Sequence, residues 1–224
     1  MKKTLYLLNI NDYAPEITDL TYPLIERYAK KIQAEIYIIK ERRFPEWDLD
    51  YEKLQIYRLA QEMGNDWNIY VDSDALVHPD LPDVTELIPM DTVAHNGNDF
   101  APIRWRYDNY FRRDGRHIGS GNWFAVGSSW CLDLWRPLDD LTPEEAIANI
   151  TVTAEEARAS IQASHLVSDY ALSRNIARFG LKFTHLGKIW KQYEQVGEFF
   201  YHQYTMGLDE KLSSLKDTLT RWKL

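Results

Sequence analysis

Trp67-Asn68-Ile69-Tyr70-Val71-Asp72-Ser73-Asp74-Ala75-Leu76-Val77 is the stretch on which the fold turns. Trp67 to Val71 is aromatic and β-branched, the composition of a buried strand. Two carboxylates one residue apart stand where that strand ends. In an open α/β sheet, ligands sit outside the carboxyl ends of the strands. Asp72 and Asp74 in that position suit a hard divalent cation that keeps several waters and also takes a diphosphate. The plainer alternative is a turn whose aspartates only cap the next helix, since Asp is common in such turns.

Toward the amino terminus, Thr4 to Ile10 is an apolar run, the pattern of a buried first strand. It gives way to a polar turn ending at Pro15. Ile17 to Ala34 carries Leu20, Leu24, Ile25, Tyr28 and Ile32 at helical spacing, and Glu35 to Lys40 is a second strand. Strand, helix and strand in that order form a parallel crossover unit. A second helix is expected from about Asp50 to Met63, just before the central strand. In a Rossmann-type sheet the first turn holds the base and ribose of a nucleotide, so Asn9, Asn11 and Tyr13 are candidates there, with Tyr13 able to stack on the base. The turn lacks the Gly-x-Gly-x-x-Gly of a dinucleotide site. Asn and Pro would also be needed by any stable loop.

A lysine-bearing helix (Tyr51 to Ala60), a strand, Asp-x-Asp, and then the proline-punctuated His78-Pro79-Asp80-Leu81 together resemble the nucleotide-sugar glycosyltransferases of the GT-A fold. The resemblance implies a single Rossmann-type α/β domain with a mixed, mainly parallel sheet flanked by helices. Residues 1–95 would be the nucleotide and metal half, 96–207 the acceptor half, and 208–224 a terminal helix. It also implies that Asp72 and Ser73 touch the donor diphosphate and that Lys53 lies near the donor.

Three later stretches extend the likeness. Gly119-Ser120-Gly121-Asn122 precedes the strand Trp123 to Val126; in the resembling enzymes such a small-residue turn lies under the donor, which makes Gly121 and Asn122 candidates. Ser168-Asp169-Tyr170-Ala171-Leu172-Ser173-Arg174, closed by Gly180, looks like the Glu-Asp-x-x-Leu-x-x-Arg…Gly helix of inverting members, with serine in place of the glutamate. Asp169 would then be the base that deprotonates the acceptor; by itself an aspartate there is a helix cap. Phe199 to Lys211 resembles the late His…Gly…Lys segment of metal-dependent members. There His202 would complete the metal site with Asp72 and Asp74, and Lys211 would meet the diphosphate. His185 competes as a ligand.

Composition bounds the rest. The chain has 224 residues, 45% hydrophobic and 27% charged, an ordinary soluble globular balance. Eight Trp and fourteen Tyr leave room for rings that stack on sugars or bases, although a large core absorbs most of them. Cys131, the single cysteine, excludes an internal disulfide and a cysteine zinc site. No run is apolar enough for a signal peptide or membrane span, so a cytoplasmic location is expected. A net charge of −8 disfavours wholesale binding to a phosphate backbone. Arg104, Arg106, Arg112, Arg113 and Arg116 interleave with aromatics and read either as a surface for an anionic acceptor or as an amphipathic hairpin.

The expected function is metal-dependent transfer, with Mn²⁺ or Mg²⁺, of a sugar from a nucleoside-diphosphate sugar to a glycan or other hydroxyl acceptor, with inversion. Alternatives are transfer to a hydroxylated base in DNA, a nucleotidyltransferase, or a non-catalytic nucleotide- or glycan-binding module.

Overall fold

The computed structural model describes residues 1–98, 120–152, 154–190, 199–203 and 206–224. Strand β1 (Lys3–Leu8) leads into helix α1 (Pro15–Ile32) and strand β2 (Ala34–Ile39). Proline opens α1, where a missing N–H costs nothing, and the buried residues Ile17, Leu24, Ile25, Tyr28 and Ile32 give it one apolar face. The expected helix after Asp50 divides in two: a 3₁₀ segment, Leu49–Gln55, then α2 (Ile56–Met63), closed by Gly64 at φ 63. Both precede β3 (Trp67–Val71), buried along its whole length.

Beyond β3 come β4 (Leu76–Val77), β5 (Thr92–Asn98) and β6 (Ser120–Ser128). The glycine-bearing Gly119 to Asn122, expected to be a turn, differs: Gly121 and Asn122 already belong to β6. Helices α3 (Pro143–Ala148) and α4 (Ala154–Arg158) are short. α4 ends at Arg158, with Ser160 at φ 60 just beyond it. Then come α5 (Val167–Arg178), β7 (Lys182–His185), α6 (Leu186–Trp190), β8 (Phe200–Tyr201) and α7 (Leu208–Trp222).

Six strands make one sheet in the order β2-β1-β3-β6-β5-β7, and β6 alone among them runs antiparallel to its neighbours. This is the mixed, mainly parallel α/β architecture expected from the sequence. One face packs residues such as Tyr6, Tyr70, Ala125 and Val93 against α2 and α5. The other packs Leu5, Ile69, Phe124 and Val126 against α1. With both faces covered, β3 shows no alternation of buried and exposed residues: all five are buried, Asn68 included. A separate two-strand ribbon, β4 with β8, lies outside the sheet. No helix among the described residues is long and apolar enough to cross a membrane.

Candidate active site

The turn after β3 is fixed by its middle residue. Pairing with β6 runs one residue past the strand, since the Asp72 N–H donates to the Trp123 carbonyl (2.8 Å). The Ala75 N–H then closes the turn onto the Asp72 carbonyl (3.0 Å). Ser73 Oγ donates to the carbonyl of Leu8 at the end of β1 (2.8 Å), and Thr21 of α1 donates to the Ser73 carbonyl (2.5 Å). Ser73, expected at the donor, lines the adjoining cavity, and its hydroxyl and carbonyl tie the turn to β1 and α1. Because side chains alternate about it, Asp72 and Asp74 project together into a cavity of about 580 Å³ at the carboxyl edge of the parallel strands.

The two-strand ribbon supplies the third group. Leu76 pairs with Tyr201 and Val77 with Phe200, and the His78 N–H donates to the Phe199 carbonyl (2.8 Å). The chain leaves β8 directly at His202, whose Nε2 is 3.2 Å from Asp74 Oδ1 and 3.5 Å from Asp72 Oδ2. Its ring stacks on Trp123 at 5.0 Å and 18°. Donor atoms of Asp72, Asp74 and His202 all lie within 4.8 Å of one another, the one such group among the described residues. Two carboxylates and an imidazole are a donor set that could hold a divalent metal ion. His185, the competing candidate, sits elsewhere: its Nδ1 accepts the Gly187 N–H (2.9 Å) and its ring faces His95.

Charge in this corner is nearly self-compensating. Lys211, in the first turn of α7, places Nζ 2.5 Å from Asp74 Oδ2. Burial pushes the Asp74 carboxyl up, but His202 and Lys211 outweigh it and hold it well below the usual carboxylate range. Asp72 goes the other way: burial raises it, and Lys53 and His202 compensate only in part. Tyr70 also donates its hydroxyl to Asp72 Oδ1 (2.5 Å).

Several of the remaining candidates line the same cavity. Tyr13 lines it and is 45% exposed. Asn9 shapes the loop instead: its Oδ1 accepts the Tyr13 N–H (2.8 Å), while its own N–H donates to the Ile39 carbonyl. Asn11, Asp12 and Ala14 all sit at positive φ (62, 50 and 41), an unusual concentration of left-handed backbone for non-glycine residues. Asp169 lies in the first turn of α5 and lines the cavity. Ser168, where the resembling motif has glutamate, is buried and donates to Asp50. Lys53 is 2% exposed, 2.8 Å from Asp50 Oδ1 and 3.7 Å from Asp72 Oδ1. Arg104, Arg106, Arg112, Arg113 and Arg116 lie outside the described residues, and the described ones give nucleic-acid binding no support.

Sequence reasoning missed part of the wall. Asp48, Asp50, Glu156 and His165 all line the cavity, with His165 Nε2 3.8 Å from Asp48. One signal was available: Asp48-Leu49-Asp50 is a second Asp-x-Asp, ahead of the same helix that carries Lys53.

No family model matches the sequence, and neither does any curated protein. By architecture the chain is an α/β protein with its cavity at the carboxyl edge of the parallel strands. It is similar in structure to a glycosyltransferase involved in the glycosylation of the major capsid of PBCV-1. That likeness has a TM-score of 0.52 and 11% identity and covers 97% of this chain and 100% of that one. At this identity it shows a shared fold.

Proposed function

We propose that this chain is a metal-dependent glycosyltransferase of GT-A type, moving a sugar from a nucleoside-diphosphate sugar to an acceptor hydroxyl. The observation that carries the reading is the convergence of Asp72 and Asp74, just after β3, with His202, just after β8, and with Lys211 alongside, in the lining of a cavity that Asp169 also lines. The structural neighbour, a glycosyltransferase, supports the same class.

Asp72, Asp74 and His202 would hold Mn²⁺ or Mg²⁺. Such an ion, when bound, neutralises charge that builds on a departing diphosphate. The chain's own groups do the rest. Lys211 offers an ammonium beside Asp74 for the diphosphate oxygens. Tyr13 offers a ring face to the base. Gly121 and Asn122 are backbone positions of β6 next to Trp123, a strand that borders the donor side in this reading. Asp169 accepts the proton of the acceptor hydroxyl as its oxygen bonds to the anomeric carbon. The bond from that carbon to the diphosphate breaks with its electron pair on the phosphate oxygen. A single displacement of this kind inverts the anomeric centre.

The test is a screen of nucleoside-diphosphate sugars with Mn²⁺, following the released nucleotide and the product. Release of a nucleoside diphosphate with a new glycosidic bond supports transfer. Release of a sugar 1-phosphate, the group that leaves when the nucleotidyl group is what moves, would instead identify a nucleotidyltransferase, and tight binding without turnover a binding module.

A further inference from the structure

Lys53 was expected near the donor, and its surroundings argue for something else. Its side chain is 2% exposed, so an ammonium there presents almost no surface to a diphosphate. Its nearest partner is Asp50 Oδ1 at 2.8 Å; Asp72 Oδ1 is farther, at 3.7 Å. It also lies over the Tyr70 ring, 4.7 Å from the centroid, and Tyr70 donates to the same Asp72 oxygen. The other oxygen of Asp50 accepts the hydroxyl of Ser168, the residue before Asp169. A chain of contacts therefore runs from a candidate metal ligand on β3, through Lys53 and Asp50, to the opening turn of α5.

We infer that Lys53 and Asp50 form an internal clamp of positioning residues that sets Asp72 against the start of α5, and that Lys53 is not a donor ligand. This rests on the transferase reading only for its kinetic consequence. The physical reason is a division of one cation among carboxylates. While Asp50 holds Lys53 at hydrogen-bond distance, Asp72 has Oδ1 held by the Tyr70 hydroxyl and is left with Oδ2, on the His202 side, for a metal ion. Without Asp50, the buried ammonium has to satisfy itself from the remaining carboxylates, and Asp72 is the nearest. The clamp so keeps a buried cation from competing for a metal ligand.

A double-mutant cycle on Mn²⁺ binding, measured by electron paramagnetic resonance of the free ion, tests this without any turnover. Asp50→Asn is expected to weaken Mn²⁺ binding about three- to tenfold, although Asp50 is not a ligand. Lys53→Met is expected to bind Mn²⁺ as tightly as the parent or more so. The double variant should match Lys53→Met, because Asp50 has nothing left to restrain. If Asp50→Asn weakens binding equally in both backgrounds, its charge acts by simple long-range attraction and the clamp is refuted. Should Lys53→Met not fold, Ser168→Ala replaces it. It loosens Asp50 without touching a charge and should weaken Mn²⁺ about twofold, whereas no change would refute the clamp. With an active donor, Asp50→Asn and Lys53→Met should lower kcat about tenfold or more and leave donor KM within about twofold. A raised donor KM at unchanged kcat would make Lys53 a donor ligand and overturn the inference. A parent protein that binds Mn²⁺ and turns over no donor ends the transferase reading while leaving the binding cycle decisive.

Discussion

With Nε2 between two carboxylates, His202 competes with itself as base and as ligand. Burial disfavours its charged form, but Asp74 and then Asp72 outweigh burial and hold its pKa above the ordinary histidine value. A ligating imidazole must be neutral, so metal binding expels that proton. Mn²⁺ affinity should therefore be flat above the raised pKa and fall as pH drops through it, by up to about tenfold per pH unit. Asp74, held low, stays ionised throughout and adds no slope. Calorimetry from about pH 8 to about pH 6, in two buffers of different ionisation enthalpy, should detect one proton released. His202→Gln should bind Mn²⁺ weakly with no such slope; an unchanged slope in that variant would remove His202 from the site. For Asp169→Asn, Mn²⁺ and donor binding should persist while transfer falls on the order of 10²–10⁴-fold. Collapse of donor affinity instead would make Asp169 a donor contact.

Among the elements, the smallest ones do most to assemble the site. β4 and β8 have two residues each, and what holds them is packing: Phe200 is 6% exposed and meets Trp123 and Phe124 at 5.5 and 4.5 Å between ring centroids. Phe200→Ala should cost about 3–5 kcal/mol by chemical unfolding and also weaken Mn²⁺ binding, since His202 lies two residues further along the chain. Ile25→Ala on α1, also buried, should cost about 2–5 kcal/mol and leave Mn²⁺ affinity alone. Equal effects of both variants on the metal would mean that the ribbon does not position His202. This division also explains what could be read from sequence. β3 and the opening of α5 announce themselves through a short aromatic and β-branched run and a helical period, so Asp72, Asp74 and Asp169 could be placed beforehand. Two-residue strands have no period, so the contact of His202 with Asp74 rested on the resemblance alone. Gly121 was misplaced because small residues open β6 as readily as they make a turn. Asp48, Asp50, Glu156 and His165 come from short or irregular segments, where a carboxylate facing a cavity looks like one facing water.

For the molecule as a whole, one buried residue sets an acid limit on stability. His95, on β5, is 2% exposed, and neither ring nitrogen has a hydrogen-bond partner among the described residues. Its ring is 4.6 Å from that of Phe183 and 5.9 Å from that of His185. Burial first, and the neighbouring His185 second, push its pKa down to about 3. In the unfolded chain a histidine takes up its proton near pH 6.5, so between those values the unfolded state binds a proton that the folded state refuses. Stability from this group is therefore complete above about pH 6.5 and drains away as pH falls toward 3, at up to about 1.4 kcal/mol per pH unit. His202, with its raised pKa, acts in the opposite sense, since its contribution is complete below its unfolded value and fades as pH rises through its folded one. The two are separated by substitution. His95→Phe keeps a flat ring against Phe183 and removes the titration. Urea unfolding at about pH 7.5 and about pH 5 should show the parent losing on the order of 2 kcal/mol more than this variant. An equal loss in both proteins would mean that His95 takes up its proton in the folded state, and that its burial does not set the acid limit.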